Sequence, residues 1–324
     1  MASSLAVQVG WDHGLVLRSL QGPLRLDCAK PGQGPSIVTH AHLDHLRGNA
    51  HMTEPTRDFL AARLGLVDAR PLAVGAPTQL EGWEVLLHDA GHCLGAAMVE
   101  ASGVLYTGDF NPVAALTAPG ARPVACEVLV IESTYGDPRW RHPPRDLVLA
   151  SLHAWLDRAL PEGGVVLGCH QLGRAQELVA ILNRRGVVPA VAPDIAVLCE
   201  IYVKHGVPLR FRAATPGELY GTLGPHQALV APRTLLRKGE AFTRHLREAG
   251  GRAAYVSGWC AVYSYHDKYD IDAQFALTDH ATFEQLLDFA AQCRPRRVFT
   301  VMGRTEPLAR ELARRLGVPA QPLG

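Results

Sequence analysis

His40, His42, Asp44 and His45 fall within the short stretch SIVTHAHLDHLRGNA, Ser36 to Ala50. Imidazole is the commonest protein ligand for transition metals, and a carboxylate serves the same ions. SIVTH reads as a strand, and in an extended segment residues two apart project to one side, so His40 and His42 can face a single point. A turn after them would bring Asp44 and His45 to the same region from the other side. One tetrahedral zinc needs fewer ligands than this stretch offers, which points to two ions. Two ions held about 4 Å apart would lower the pKa of a shared water and arm it as a nucleophile.

The elements that must position these side chains are legible from the apolar pattern. The first 135 or so residues read as short strands between Gly/Pro turns: LAVQVG, LVLRSL, LRLD, SIVTH, EVLLHDA, AAMVE, VLYTGD and EVLVIES. One helix is expected near Thr56 to Leu64. The character then changes. PPRDLVLASLHAWLDRAL is an amphipathic helix entered through two prolines, GGVVLGCH a buried strand, and LGRAQELVAILNRRG a helix ended by Gly186. Strand–helix alternation continues to about Val256, as in a small parallel α/β unit. A helix (Thr282 to Gln292), a strand (RRVFTVMG) and a last helix (EPLARELARRLG) follow. No internal repeat or low-complexity tract is seen.

Composition sets outer bounds. The 324 residues are 48% hydrophobic and 19% charged, with a net charge of +1, so no global field draws the chain to a polyanion or a membrane; a local patch would have to do so. Seven cysteines are scattered without CxxC spacing, which argues against a disulfide framework or a zinc ribbon. The N-terminus carries no signal-peptide pattern and no stretch approaches the length of a membrane span. A cytoplasmic, soluble protein is expected.

The stretch HxHxDH, followed in order by DAGHCLGAAM and LYTGDF, is similar to the metallo-β-lactamase superfamily, and LRLDCAKPG resembles its first motif. VLVIESTYGDP, GCHQLGRAQELVAIL and FALTDHATFEQLLDFA narrow the resemblance to the β-CASP nucleases, closest to the compact bacterial exonucleases associated with DNA ligases. The resemblance implies an α/β fold: an αββα sandwich (residues 1–136 and 271–324) into which a β-CASP α/β domain (137–270) is inserted. It implies that His40, His42 and His92 hold one zinc, that Asp44 and His45 hold a second, and that Asp109 bridges them, with Mn²⁺ an alternative metal. Asp27 would support the ligand loop. Glu132 and His280, with Asp44, would carry the catalysis: a carboxylate accepting from one ring nitrogen fixes the tautomer, and the other nitrogen can serve a phosphoryl or leaving oxygen.

Arg174, at a helix start, is a candidate phosphate contact, and Arg139, Trp140 and Arg141 in DPRWRHPPR could line a groove for a single strand. RPRR near Arg294 reads as a solvated face. His13, His51, His88 and His170 read as turn or core residues; His266 reads as an exposed loop residue whose aromatic neighbours could contact a nucleotide. In the resembling family a final histidine ligand sits in a strand-end HG, where this sequence has Met302. A thioether is a poor partner for zinc, so the second ion should bind more weakly. DNA nucleases of the Artemis type also lack that histidine. The expected function is therefore a zinc-dependent nuclease, with single-stranded DNA preferred over RNA and exonuclease action in DNA repair or end-processing. A ribonuclease and an inactive metal-binding partner subunit are the alternatives.

Overall fold

Short apolar runs cut by turns leave the N-terminal part of the chain no room for long helices, and strands form instead. The computed structural model describes residues 7–28, 30, 32–42, 50–65 and 68–323. β1 (Gln8–Trp11), β2 (Leu15–Ser19), β3 (Gly22–Leu26), β4 (Ser36–Ile37), β5 (Ala50–Met52) and β6 (Ala69–Pro71) make a six-stranded sheet in that order. The first three pair antiparallel, and β3 to β6 run parallel. Between β5 and β6 lies α1 (Glu54–Leu64), whose first turn holds Pro55 and whose cap is Thr53, accepting from Thr56 N–H.

A second sheet begins with β7 (Thr78–Leu80), β8 (Trp83–Asp89), β9 (Ala97–Ala101), β10 (Val104–Tyr106) and β11 (Val128–Ser133). β8 alternates with Trp83, Val85 and Leu87 inward, as a strand with one solvated face should. β11 is central and parallel, and reads accordingly as a continuous buried run.

The chain then builds α2 (Arg145–Glu162), β12 (Val165–Cys169), α3 (Arg174–Arg184), β13 (Ala190–Val191), α4 (Pro193–Lys204), β14 (Arg212–Ala213), α5 (Pro216–Leu219), β15 (Ala228–Pro232), α6 (Ala241–Glu248), β16 (Arg252–Val256) and β17 (Ala273–Phe275). These strands form their own parallel sheet, ordered β14-β13-β15-β12-β16-β17. Afterwards come α7 (Phe283–Cys293), β18 (Arg297–Gly303), α8 (Thr305–Leu316) and β19 (Ala320–Pro322). β18 and β19 complete the second sheet, ordered β19-β18-β11-β10-β9-β8-β7.

Two compact units result. The first comprises residues 1–114, 118–139 and 280–324, the second 115–117 and 140–279. β17 pairs with β16, which assigns the segment up to Asp279 to the second unit and puts the return at His280, later than residue 271. Within the first unit the two sheets share one core: Leu15, Leu17, Leu24 and Ile37 from one sheet meet Trp83, Val99, Tyr106, Val130 and Val301 from the other. α7 and α8 pack on the second sheet, against β11 and β18. Two sheets packed face to face, with helices on the second, make the α/β sandwich expected from the sequence.

Candidate metal centre

The centre grows from the ends of strands in the first unit. His40 and His42 follow β4, His92 follows β8, and Asp109 follows β10. Ligand atoms of His40, His42, His92 and Asp109 all lie within 4.8 Å of one another. The three imidazole centroids are each 4.9 Å from the other two, with rings set edge to face. His92 Nε2 is 3.0 Å from His42 Nδ1, and Asp109 Oδ2 is 3.4 Å from His40 Nε2. His40 is fully buried and His92 nearly so.

Two glycines make this convergence possible. Gly91 (φ +73°) precedes His92, and a Cβ there would come within 2.2 Å of the Asn111 carbonyl oxygen. Gly108 (φ +50°) precedes Asp109, and its missing Cβ leaves room for the Thr39 hydroxyl, 2.8 Å away from where that Cβ would stand.

Asp27 anchors the first ligand strand without joining the cluster. Its Oδ1 accepts from Thr39 N–H (2.8 Å), and its Oδ2 accepts from the Thr39 hydroxyl (2.7 Å) and from Tyr106 O–H (3.1 Å). Burial and the nearby carboxylates of Asp27 and Asp109 push the Tyr106 phenol well up, so it stays a donor. The Thr39 hydroxyl gives its only proton to Asp27, so in its 3.0 Å contact with His40 Nδ1 it must accept. His40 is therefore oriented with Nδ1 as a donor, which leaves Nε2, 3.4 Å from Asp109 Oδ2, as the atom it can offer a cation. A cation among these atoms would draw on the imidazoles and the Asp109 carboxylate together. A donor set of three imidazoles and one carboxylate suits Zn²⁺ and also accepts Mn²⁺. Thr39 and Tyr106 were not singled out from the sequence; the only signal for Thr39 is its place directly before His40.

Glu132, at the end of β11, is completely buried. Its Oε1 accepts from Phe110 N–H (3.0 Å) and His280 Nδ1 (3.0 Å), and its Oε2 accepts from Thr134 N–H (3.2 Å). With two backbone donors already on it, the carboxylate turns its remaining lone pairs to His280, so the ring meets it with Nδ1 as the donor. Asp109, Glu132 and His280 again offer atoms within 4.8 Å of one another, and the His280 ring lies 4.5 Å from that of His92. The metal cluster and the Glu132–His280 pair thus form one continuous site in the first unit.

Asp44 and His45 lie outside the described residues. Met302 is the extra residue of a bulge where β18 passes Glu132 and Ser133, with φ +52°, and its side chain packs against the inter-sheet core. Arg174 is not displayed for an incoming phosphate: it is 2% exposed, its guanidinium paired with Glu177 and 3.4 Å from Asp279. A phosphate there would compete with two carboxylates. Arg139 is exposed but clamped in two-pronged fashion on Asp137, whose carboxyl it holds down to about 2. In the second unit Trp140 meets Trp259 edge-on at 5.3 Å, and Arg141 is exposed beside it in sequence. Of the remaining histidines, His88 pairs with Glu100 on the neighbouring strand (2.8 Å), while His13 and His170 are exposed.

No family model matches the chain. Among curated proteins, a probable DNA ligase of Opitutus terrae is 32% identical over 98% of this chain and 31% of its own length. The cleavage and polyadenylation specificity factor subunit 3 of Dictyostelium discoideum is 31% identical over 45% of this chain and 24% of its own. An RNase J-like protein of Methanocaldococcus jannaschii is 32% identical over 45% and 42%, respectively. The chain thus spans less than half the length of each of these relatives. A crystal structure of a protein of unknown function from Enterococcus faecalis shares the fold, with a TM-score of 0.58 at 14% identity over 91% of this chain and 80% of that one.

Proposed function

We propose, for a chain that belongs to the β-CASP branch of the metallo-β-lactamase superfamily, a metal-dependent nuclease that hydrolyses phosphodiester bonds in nucleic acid. The observation that carries this reading is the continuity of the His40–His42–His92–Asp109 cluster with a histidine held by a buried glutamate. A divalent cation bound by those four residues, Zn²⁺ first, would supply Lewis acidity to the phosphoryl oxygens and to water. Asp44 and His45 are proposed to help hold a second, weaker-binding ion together with Asp109, since Met302, packed against the inter-sheet core, supplies no imidazole to it.

His280 is the residue proposed to act on the phosphate. With Nδ1–H committed to Glu132, its Nε2 is the atom that exchanges a proton with the leaving oxygen or supports a phosphoryl oxygen. Glu132 acts through His280: it sets the tautomer and balances the positive charge that the ring carries when protonated. Buried Asp27 keeps the ligand strand in place through Thr39. A hydrolase of small lactams or thioesters would have no use for a second α/β unit of this size.

Single-stranded DNA is the proposed substrate, attacked from an end, in DNA repair or end-processing in the cytoplasm. A relative that aligns along nearly the whole chain is named a probable DNA ligase, and an exonuclease that trims damaged ends would prepare them for joining. Met302 in place of a ligand histidine points the same way. Ribonuclease action is the second reading, favoured by the RNase J-like name of one relative. DNA and RNA single strands of matched sequence, labelled at either end and incubated with Zn²⁺ or Mn²⁺, test both. Stepwise shortening of DNA supports the first, preferential loss of RNA supports the second, and intact strands under all conditions overturn nuclease activity.

A further inference from the structure

Half of the eight tyrosines, Tyr255, Tyr263, Tyr265 and Tyr269, fall in one fifteen-residue segment of the second unit together with Trp259. In a chain with only 6% aromatic residues this is a local excess. The segment divides its rings. Tyr255 and Tyr269 are buried and pack on each other at 5.2 Å, an ordinary use of aromatic area. Tyr263 is not used in that way: it is 51% exposed, lying over Trp259 at 5.9 Å with ring planes 25° apart. Trp259 is in turn supported edge-on by Trp140.

This outer group stands on a braced loop. The Gln274 side chain on β17 donates to the carbonyl oxygens of Cys260 (3.2 Å) and Tyr263 (2.9 Å) and accepts from Tyr265 N–H (2.8 Å). Three hydrogen bonds from one side chain hold the backbone under Tyr263, so its ring face is presented with little conformational entropy left to lose on binding. Two cations of the same unit are exposed: Arg141, next to Trp140 in sequence, and Lys268, whose Nζ lies 5.7 Å from the centroid of the Tyr269 ring.

A preordered, half-exposed π-face backed by two further rings fits the flat face of a nucleobase. Only an unpaired strand offers such a base, because duplex bases hide their faces in the stack. We propose that Trp140, Trp259 and Tyr263 form a base-stacking platform for single-stranded nucleic acid. The proposal rests on the nuclease reading for its ligand, and it assigns a role to Trp259 and Tyr263 that the metal centre does not require.

The test compares oligothymidylate with an abasic strand of equal length and charge, bound by the full chain in chelator so that nothing is cleaved. The wild type should bind the thymidylate roughly tenfold more tightly than the abasic strand, with quenching of tryptophan fluorescence. Tyr263→Ala and Trp259→Ala should bring that ratio toward one, whereas Tyr263→Phe, which keeps the ring, should preserve it. Melting temperatures of the variants separate loss of the platform from loss of the fold. Equal affinity of the wild type for both strands, or a ratio unmoved in Tyr263→Ala, overturns the platform. Hydrolysis of bis(4-nitrophenyl) phosphate by the metal-loaded wild type reads the metal centre without a nucleobase. Activity there alongside equal strand affinities sinks the platform alone; no activity there and no strand cleavage sinks the nuclease reading.

Discussion

Replacing Glu132 by glutamine isolates what the buried carboxylate does for His280. The amide is nearly isosteric, so Phe110 N–H and His280 Nδ1–H can still find an oxygen at the Oε1 position. The NH₂ group then faces Thr134 N–H, donor against donor. Two bonds weaken from charged to neutral acceptors, by about 1 kcal/mol each, and the opposed donors cost about 2 kcal/mol more. The sum, about 4 kcal/mol, fits within the stability of an ordinary domain and would lower the melting temperature by roughly 6 °C. Catalysis should suffer far more. Without a charge behind it, His280 loses both its enforced tautomer and the partner for its protonated form, and kcat should fall by about 10²- to 10⁴-fold. KM and bound metal should change little, because Glu132 meets His280 and backbone amides rather than the three metal-binding histidines. Steady-state cleavage of a labelled single strand, with metal content measured on the same sample, decides it. Activity within a few-fold of wild type refutes the positioning role; loss of metal in parallel with activity assigns Glu132 to the metal centre instead.

Asp27→Ala removes the acceptor for Thr39 N–H, the Thr39 hydroxyl and Tyr106, so zinc affinity should fall about 10- to 100-fold although no ligand is touched; competition with a chromogenic chelator measures it. Graded chelation of the wild type should strip one ion before the other, and Met302→His should narrow the gap; two ions lost together from the wild type would contradict the proposed ligand count. The Asp137 carboxyl is held at about 2 by Arg139, below its ordinary 3.8, so the pair stabilises the fold above about pH 4 and stops doing so as pH falls through 2. Thermal melts of Asp137→Asn should therefore lie below wild type near neutrality and meet it in strong acid; a gap that persists at the acid end would show that the ion pair is not its source.

What could be read from the sequence depended on how local the signal was. His40 and His42 are legible because two residues of extended chain suffice to bring them to one side. His92 and Asp109 sit in GH and GD pairs that mean little until Gly91 and Gly108 are seen in left-handed conformations, letting backbone and Thr39 approach. Glu132 reads as a strand-end carboxylate; that it is sealed from water and meets a histidine 148 residues later is a consequence of β11 and α7 packing together. β5, β6, β7 and β19 escape a pattern search because these three-residue strands carry no apolar run of their own. Arg174 is the converse case: a helix start and a guanidinium suggest an anion, and the two carboxylates that pair with it on its own unit are visible only in the fold. Trp259 and Tyr263 were separable from a hydrophobic core only once Tyr263 was seen half exposed.

The most direct measurement is X-ray diffraction at the zinc absorption edge from crystals grown with Zn²⁺. An anomalous peak about 2.1 Å from His40 Nε2, His42 Nδ1 and His92 Nε2, beside Asp109, is the expected result. Crystals of the zinc-soaked protein with no peak among those four side chains, or with the imidazoles turned away from one another, would contradict the metal centre and with it the nuclease.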